Sequence, residues 1–307
     1  MKIVVCYGAL RSGTTLLRLM LNQHTSLHCP GEADFLVDHL TFGQGGEAVV
    51  DTEALSRNRF YTSLGLNVPP SQGREAVIEM MTSMNPDPSQ TLVLMLHRGM
   101  HDFHKLFPDV PVVHFLRDPR DVARSSIGMG WAGNVYYGST HWIRTEKEWD
   151  RAEQELGLKA DLDFYYENLI REPKKTLSRF LDVVGLKWEE KMLDYDKGST
   201  YEKPSEALVE QWRHKQSETE LALVEGRVGD LLTRRGYAPS GSPPRHPSWK
   251  EARALKWQSK WYVWKSRFKR FGLLDPILEM LGRNIGIKAI HKPAKARIDE
   301  KILRDAK

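Results

Sequence analysis

The chain has 307 residues, 40% of them hydrophobic, enough for one large α/β domain with some chain left over. Two cysteines, Cys6 and Cys29, exclude a disulfide-built fold, and no run is long and apolar enough to span a bilayer at a mean hydropathy of −0.49. The net charge of +5 hides an asymmetry: residues 245–307 hold 17 Lys and Arg against 6 Asp and Glu, whereas the preceding 244 hold 28 against 34. Any role on a polyanion or an anionic membrane therefore belongs to the tail.

The first apolar run, residues 3–6, is too short for a secretion signal and leads into a glycine loop, so a cytoplasmic location is expected. Further buried-strand runs fall at 91–96, 110–116 and 162–166. Helical patterns lie between them, near 13–23, 33–40, 74–84, 120–127, 136–155 and 174–184. This alternation predicts a three-layer α/β fold, with a central, mostly parallel sheet and helices on both faces. Ligands of such sheets bind beyond the carboxyl ends of the strands. A further helical block covers 205–214 and 217–235, a Pro/Gly/Ser-rich break covers 238–248, and a basic, Trp-rich helical extension covers 249–307.

The octapeptide GALRSGTT (residues 8–15) has the outline of a phosphate-binding loop. A strand that enters a glycine turn and then a helix aims several backbone N–H groups at one point, and the helix dipole favours an anion there. The hydroxyls of Thr14 and Thr15 can add donors, and Arg11 can pair with anionic oxygens. Thr14 stands where an ATP- or GTP-using loop carries lysine. That lysine and Mg²⁺ neutralise the β and γ phosphates, which a sulfuryl donor lacks. The alternative is an ordinary turn between strand and helix.

A second segment, VVHFLRDPRDVARSS (112–126), ends a strand at Leu116 and opens a helix with Asp118 and Pro119. Arg117 and Ser125, eight residues apart, could grip one phosphate from two sides; a capped surface helix is the equal alternative. A third segment, 165–186, ends a strand at a tyrosine pair and starts an amphipathic helix at Pro173.

In this order and spacing, the three segments resemble the PAPS-dependent sulfotransferases, over roughly residues 1–237. The 5′-phosphosulfate loop of that family, R-S-G-T-T, is matched by Arg11, Ser12, Gly13, Thr14 and Thr15. Its 3′-phosphate pair is matched by Arg117 and Ser125, and its Y-E-x-L segment, whose tyrosine lies by the adenine, by Tyr166 to Leu169. The resemblance implies a P-loop-like fold, 3′-phosphoadenosine 5′-phosphosulfate (PAPS) as sulfuryl donor, PAP as product, and no metal.

Two residues compete for the role of general base. Glu32, in HCPGEADFL, matches the glutamate of tyrosylprotein and many bacterial sulfotransferases. His97, in LMLHRG, falls where cytosolic sulfotransferases carry K-T-H; the lysine position is Met95, which leaves Arg98 or Arg11 to supply a cation to the leaving group. Glu32 is the preferred reading, with His97 as rival or orienting group.

In the tail, Trp257, Trp261, Trp264, Phe268 and Phe271 step by about a helical turn, with Lys and Arg over much of the rest. Such a stripe either packs on the catalytic domain or, through residues 249–271, meets an anionic membrane surface. The acceptor is expected to be a small molecule, a carbohydrate or a lipid-linked group, shaped by residues 41–85 and 128–138. The rival functions are a nucleotide kinase or NTPase with a degenerate loop, and a binding module using the tail on nucleic acid, which is disfavoured.

Overall fold

The computed structural model describes residues 1–198 and 205–306. Five strands form one parallel sheet in the order β2-β5-β1-β6-β7, where β1 is Ile3–Gly8, β2 is Leu27–His28, β5 is Thr91–Leu96, β6 is Val112–Leu116 and β7 is Leu162–Tyr165. A separate hairpin pairs β3 (Leu40–Phe42) with β4 (Ala48–Val50).

The two faces of the sheet read directly from strand alternation. Val5 and Tyr7 of β1, Leu92, Leu94 and Leu96 of β5, and Val112 of β6 point into one core. Helices Gly73–Met84, Met100–Leu106 and Thr140–Leu156 pack on that side through residues such as Met80, Phe103 and Trp149. Val4 and Cys6, Val93 and Met95, Val113 and Phe115, and Leu162 and Phe164 point into the other. There helices Thr14–Leu21 and Pro173–Val184 supply Leu17, Met20, Leu177 and Phe180. The expected three-layer α/β arrangement with a parallel sheet is the observed one.

After β1 the chain passes to the edge strand β2 and later inserts β5 between β2 and β1, and β6 lies on the other side of β1. The strand order thus reverses at β1, and the loop that follows β1 opens at the topological switch point, where such sheets bind ligands.

Several boundaries differ from the sequence reading. Of 33–40 only Phe35–Asp38 is helical, since the chain turns at His39 into β3. The helix over 136–155 is split into Val135–Gly138 and Thr140–Leu156. The block over 217–235 breaks at Gly229, whose φ of 65° ends helix Glu218–Val228 before Leu231–Arg234. The extension forms three helices: Trp249–Phe271, Leu274–Ile285 and Lys288–Ala306.

Residues 238–248 lie along helix Glu218–Val228. The Arg245 amide donates to the Ala222 carbonyl at 2.9 Å, and the Ser240 amide to Glu225 at 2.9 Å. A Cβ on Gly226 would overlap the Arg245 carbonyl, so only glycine admits this strap. Beyond it, helix Trp249–Phe271 docks on 130–134. The Gly133 amide donates to Ser259 Oγ at 3.1 Å and Asn134 to the Leu255 carbonyl at 2.9 Å. Asp299 of the last helix pairs with Arg59 at 3.0 Å.

Candidate active site

The loop after β1 is built for close approach. Arg11, at φ 73°, takes a left-handed conformation that a residue with a side chain adopts only under constraint. Gly13, at φ 99°, precedes helix Thr14–Leu21, and a Cβ there would overlap the ring of Tyr166. No side chain caps this helix, so its first amides, with the half-buried Thr14 and Thr15, present a cradle with no internal competitor. Ser12 is fully buried, and its Oγ has no hydrogen-bond partner.

Arg117 and Ser125 converge on this loop. Arg11 Nε donates to Ser125 Oγ at 3.1 Å, and Arg117 Nη1 donates to the Arg11 carbonyl at 2.9 Å. The Arg117 guanidinium lies 4.2 Å from the Tyr166 ring centroid, while its Nε is buried without a partner. The 5%-exposed Tyr166 therefore stands between Gly13 and Arg117 and supports both. The Arg117 carbonyl is held by Trp142 Nε1 at 3.0 Å.

A buried charge ladder fixes helix Pro119–Gly128, which carries Ser125. Asp118 caps it by accepting from the Arg120 amide at 2.9 Å, and pairs with the Arg120 guanidinium at 2.6 Å. Arg120 also pairs with Glu225 at 2.7 Å and stacks 3.7 Å from the Trp212 ring centroid. Glu167 accepts from the Asp118 amide at 2.9 Å and from Tyr237 Oη at 3.3 Å. Burial pushes the Glu167 carboxyl up to about 7, against the pull of the Asp118 amide.

Glu32, His97 and Arg98 meet at the carboxyl end of β5, beside the loop. Glu32 pairs as an isolated parallel bridge with Met95, two residues before His97, and its side chain is exposed. His97 is 3% exposed. Its ring Nδ1 donates to the Gly8 carbonyl at 2.7 Å, which fixes the proton there and leaves Nε2 buried without a partner. Its amide donates to Asp34 at 2.7 Å and its carbonyl accepts from Thr145 Oγ1 at 3.0 Å.

Arg98 faces two carboxylates, Asp38 through paired 2.6 Å bonds and Asp34 at 3.0 Å. Burial opposes its charge, but Asp38, Asp34 and the field of Glu32 hold the guanidinium firmly protonated. Through Asp34 it is linked to the His97 amide, and of the two candidate cations Arg11 is the one in the loop itself. Sequence reasoning missed Asp34, Asp38, Thr145 and Trp142. The four-residue spacing of Asp34 and Asp38 was the one local signal of a shared partner.

The family model described as "Sulfotransferase family" matches residues 4–190. This chain belongs to that sulfotransferase family. Protein-tyrosine sulfotransferase 2 of Gallus gallus is 22% identical over 272 residues, covering 80% of this chain and 72% of that one. Protein-tyrosine sulfotransferase A of Caenorhabditis elegans is 22% identical over 272 residues, covering 78% and 68%. The sulfotransferase domain from the curacin biosynthetic pathway superposes with a TM-score of 0.55 at 17% identity, covering 77% of this chain and 98% of that one. The domain from the Synechococcus PCC 7002 olefin synthase gives 0.52 at 18%, covering 75% and 96%. The protein is thus a sulfotransferase enzyme, with the fold that its strand alternation predicts.

Proposed function

We propose that this sulfotransferase takes PAPS as its donor and moves the sulfuryl group to a hydroxyl or amine of an acceptor by in-line displacement. The observation that carries the reading is the convergence of Arg11, Arg117, Ser125 and the uncapped helix N-terminus on one loop. The residues fit a bisphosphorylated nucleotide: the buried Ser12 Oγ and Arg117 Nε are donors without partners, and Gly13 leaves the loop open to close approach. When bound, PAPS supplies an activated sulfuryl group whose bond to the 5′-phosphate breaks as the acceptor attacks.

The amides of residues 13–15, Ser12, Thr14, Thr15 and Arg11 would hold the 5′ end and take up charge on the leaving phosphate. Arg117 and Ser125 would hold the 3′-phosphate, with Tyr166 fixing the Arg117 plane beside the adenine site. Glu32 is the preferred base, because its carboxylate is open to an incoming acceptor while His97 Nε2 is buried. His97, locked by Gly8 and Asp34, would then orient the acceptor or back the loop. Residues 1–237 form the catalytic body in this reading and 249–307 an accessory extension.

The names of the curated relatives support a tyrosine hydroxyl among the acceptors to be tried, beside small-molecule, carbohydrate and lipid-linked hydroxyls. Calorimetry with PAP should give one site that R117A weakens, and PAPS should sulfate at least one member of that panel. Folded protein that gives no heat with PAP would overturn the donor assignment. Mg²⁺-dependent ATP binding in its place would favour the NTPase reading.

A further inference from the structure

Helix Leu274–Ile285 is amphipathic, but turned the opposite way from a helix packed on a globular body. Its buried residues are Pro276, Glu279 and Gly282. Glu279 faces inward to pair with Arg267 at 3.0 Å and Arg283 at 3.3 Å. Gly282 lets the backbone of the following helix come close, since a Cβ there would lie 2.6 Å from the His291 amide nitrogen. The apolar stripe is left outside: Leu274 is 73% exposed, Ile277 37%, Leu281 40% and Ile285 64%. These positions recur at helical spacing and share one face.

Helix Trp249–Phe271 repeats the pattern. It docks through Leu255, Gln258, Ser259 and its small neighbours, while Trp257 and Trp261 on the opposite side remain 63% and 65% exposed. Lys260 Nζ lies 5.6 Å from the Trp257 ring centroid and Lys265 Nζ 5.1 Å from that of Trp261. The aromatic stripe read from the sequence therefore splits. In its second half Trp264 and Phe268 are half-buried and Phe271 is buried, and its first half faces out.

Among the described residues, ten of the seventeen exposed large hydrophobic side chains lie in this extension, a concentration that calls for an occupant. The charge of the extension decides which. With 17 Lys and Arg against 6 Asp and Glu, a second copy would bring like charge to like charge, whereas an anionic bilayer offers both opposite charge and an apolar layer. Among the described residues no helix is long and apolar enough to cross a membrane.

We propose that residues 249–307 form a membrane-docking surface, with Leu274, Ile277, Leu281 and Ile285 beside Trp257 and Trp261 at the interface and flanking Lys and Arg on anionic headgroups. The test is co-sedimentation of the full-length protein with vesicles of phosphatidylcholine plus phosphatidylserine, against vesicles of phosphatidylcholine alone. Binding should need the anionic lipid and weaken as salt rises. I277E/L281E should weaken it by about tenfold or more while leaving the melting temperature nearly unchanged, because both residues are exposed. K260E/K265E should reduce the phosphatidylserine dependence. Three results would each overturn the proposal: no pelleting with either vesicle, equal pelleting by parent and I277E/L281E, or a concentration-dependent dimer that I277E/L281E abolishes. Pelleting does not depend on turnover, so its outcome is separate from the donor assignment.

Discussion

Arg11 and Ser125 lie 114 residues apart in sequence, yet Arg11 Nε donates to Ser125 Oγ at 3.1 Å. The loop after β1 and the helix after β6 are thereby joined before any ligand enters. Arg117 closes the same circuit through the Arg11 carbonyl. An anion that takes either arginine must reorganise bonds to the other, which makes the loop after β1 and the strand end at Arg117 a single unit.

R117A removes a buried donor and the bond that holds the Arg11 carbonyl. Loss of a charge-assisted contact costs about 1.5–3 kcal/mol, so PAP affinity should fall by roughly 10- to 100-fold in calorimetry. S125A should cost less, on the order of several-fold. R117K should fall between wild type and R117A, since lysine cannot both stack on Tyr166 and donate to two sites.

G13A should damage folding and binding together. The residue sits at φ 99°, and its new Cβ would overlap the Tyr166 ring. Thermal unfolding should show a loss of about 1–3 kcal/mol. Y166A should relieve the overlap but not the backbone strain, so G13A/Y166A should fall short of the stability of Y166A alone.

E32Q should lower kcat by about 10²- to 10⁴-fold while PAP binding stays near wild type, the pattern of a lost general base. Equal loss of kcat and nucleotide affinity would instead mark Glu32 as part of the binding surface.

Glu167 provides a pH test. Its folded carboxyl is raised to about 7, so folding takes up a proton between the ordinary carboxylate range and pH 7. Stability should therefore decline as pH rises across that window, by up to about 3 kcal/mol from this group. E167Q removes the titration and can still accept from the Asp118 amide. The melting temperature of E167Q relative to wild type should rise between pH 5 and pH 8, in a window of about two to three pH units.

G133A tests the seat of the extension. Its Cβ would lie 2.7 Å from Tyr262 Cβ and 2.8 Å from the Gln258 carbonyl oxygen. The substitution should loosen helix Trp249–Phe271 from 130–134 at a cost of about 1–3 kcal/mol and speed proteolysis within the extension. Trp131 lies in the same loop, 5.9 Å from the Arg11 guanidinium, so PAP affinity should drop modestly as well.

The sheet was legible because β1, β5 and β6 are buried on both faces and read as nearly continuous apolar runs, while β7 alternates, with Leu162 and Phe164 inward and Asp163 exposed. The two-residue β2 and the three-residue strands of the hairpin carry too little pattern to be seen. β6 starts at Val112 rather than 110, where Asp161 takes the Val112 amide, and Tyr166 begins a helix rather than ending a strand. In the candidate site, the convergence of Arg11 to Thr15, Arg117, Ser125 and Tyr166 was legible because each lies in a local motif. Their holders were not. Trp142, Thr145 and Asp34 lie 25, 48 and 63 residues from the groups they hold, and only the fold brings them near. The aromatic stripe of the extension was visible, but the face that docks is chosen by Gly130, which admits the Ser266 side chain, and Gly133, which allows the backbones to touch.

The strap over Gly226 leaves the extension no slack. Anything that grasps helix Trp249–Phe271 grasps the whole body at a set tilt, as a handle does a tool. The distance of the loop after β1 from such an anchorage is then set by the protein's own geometry.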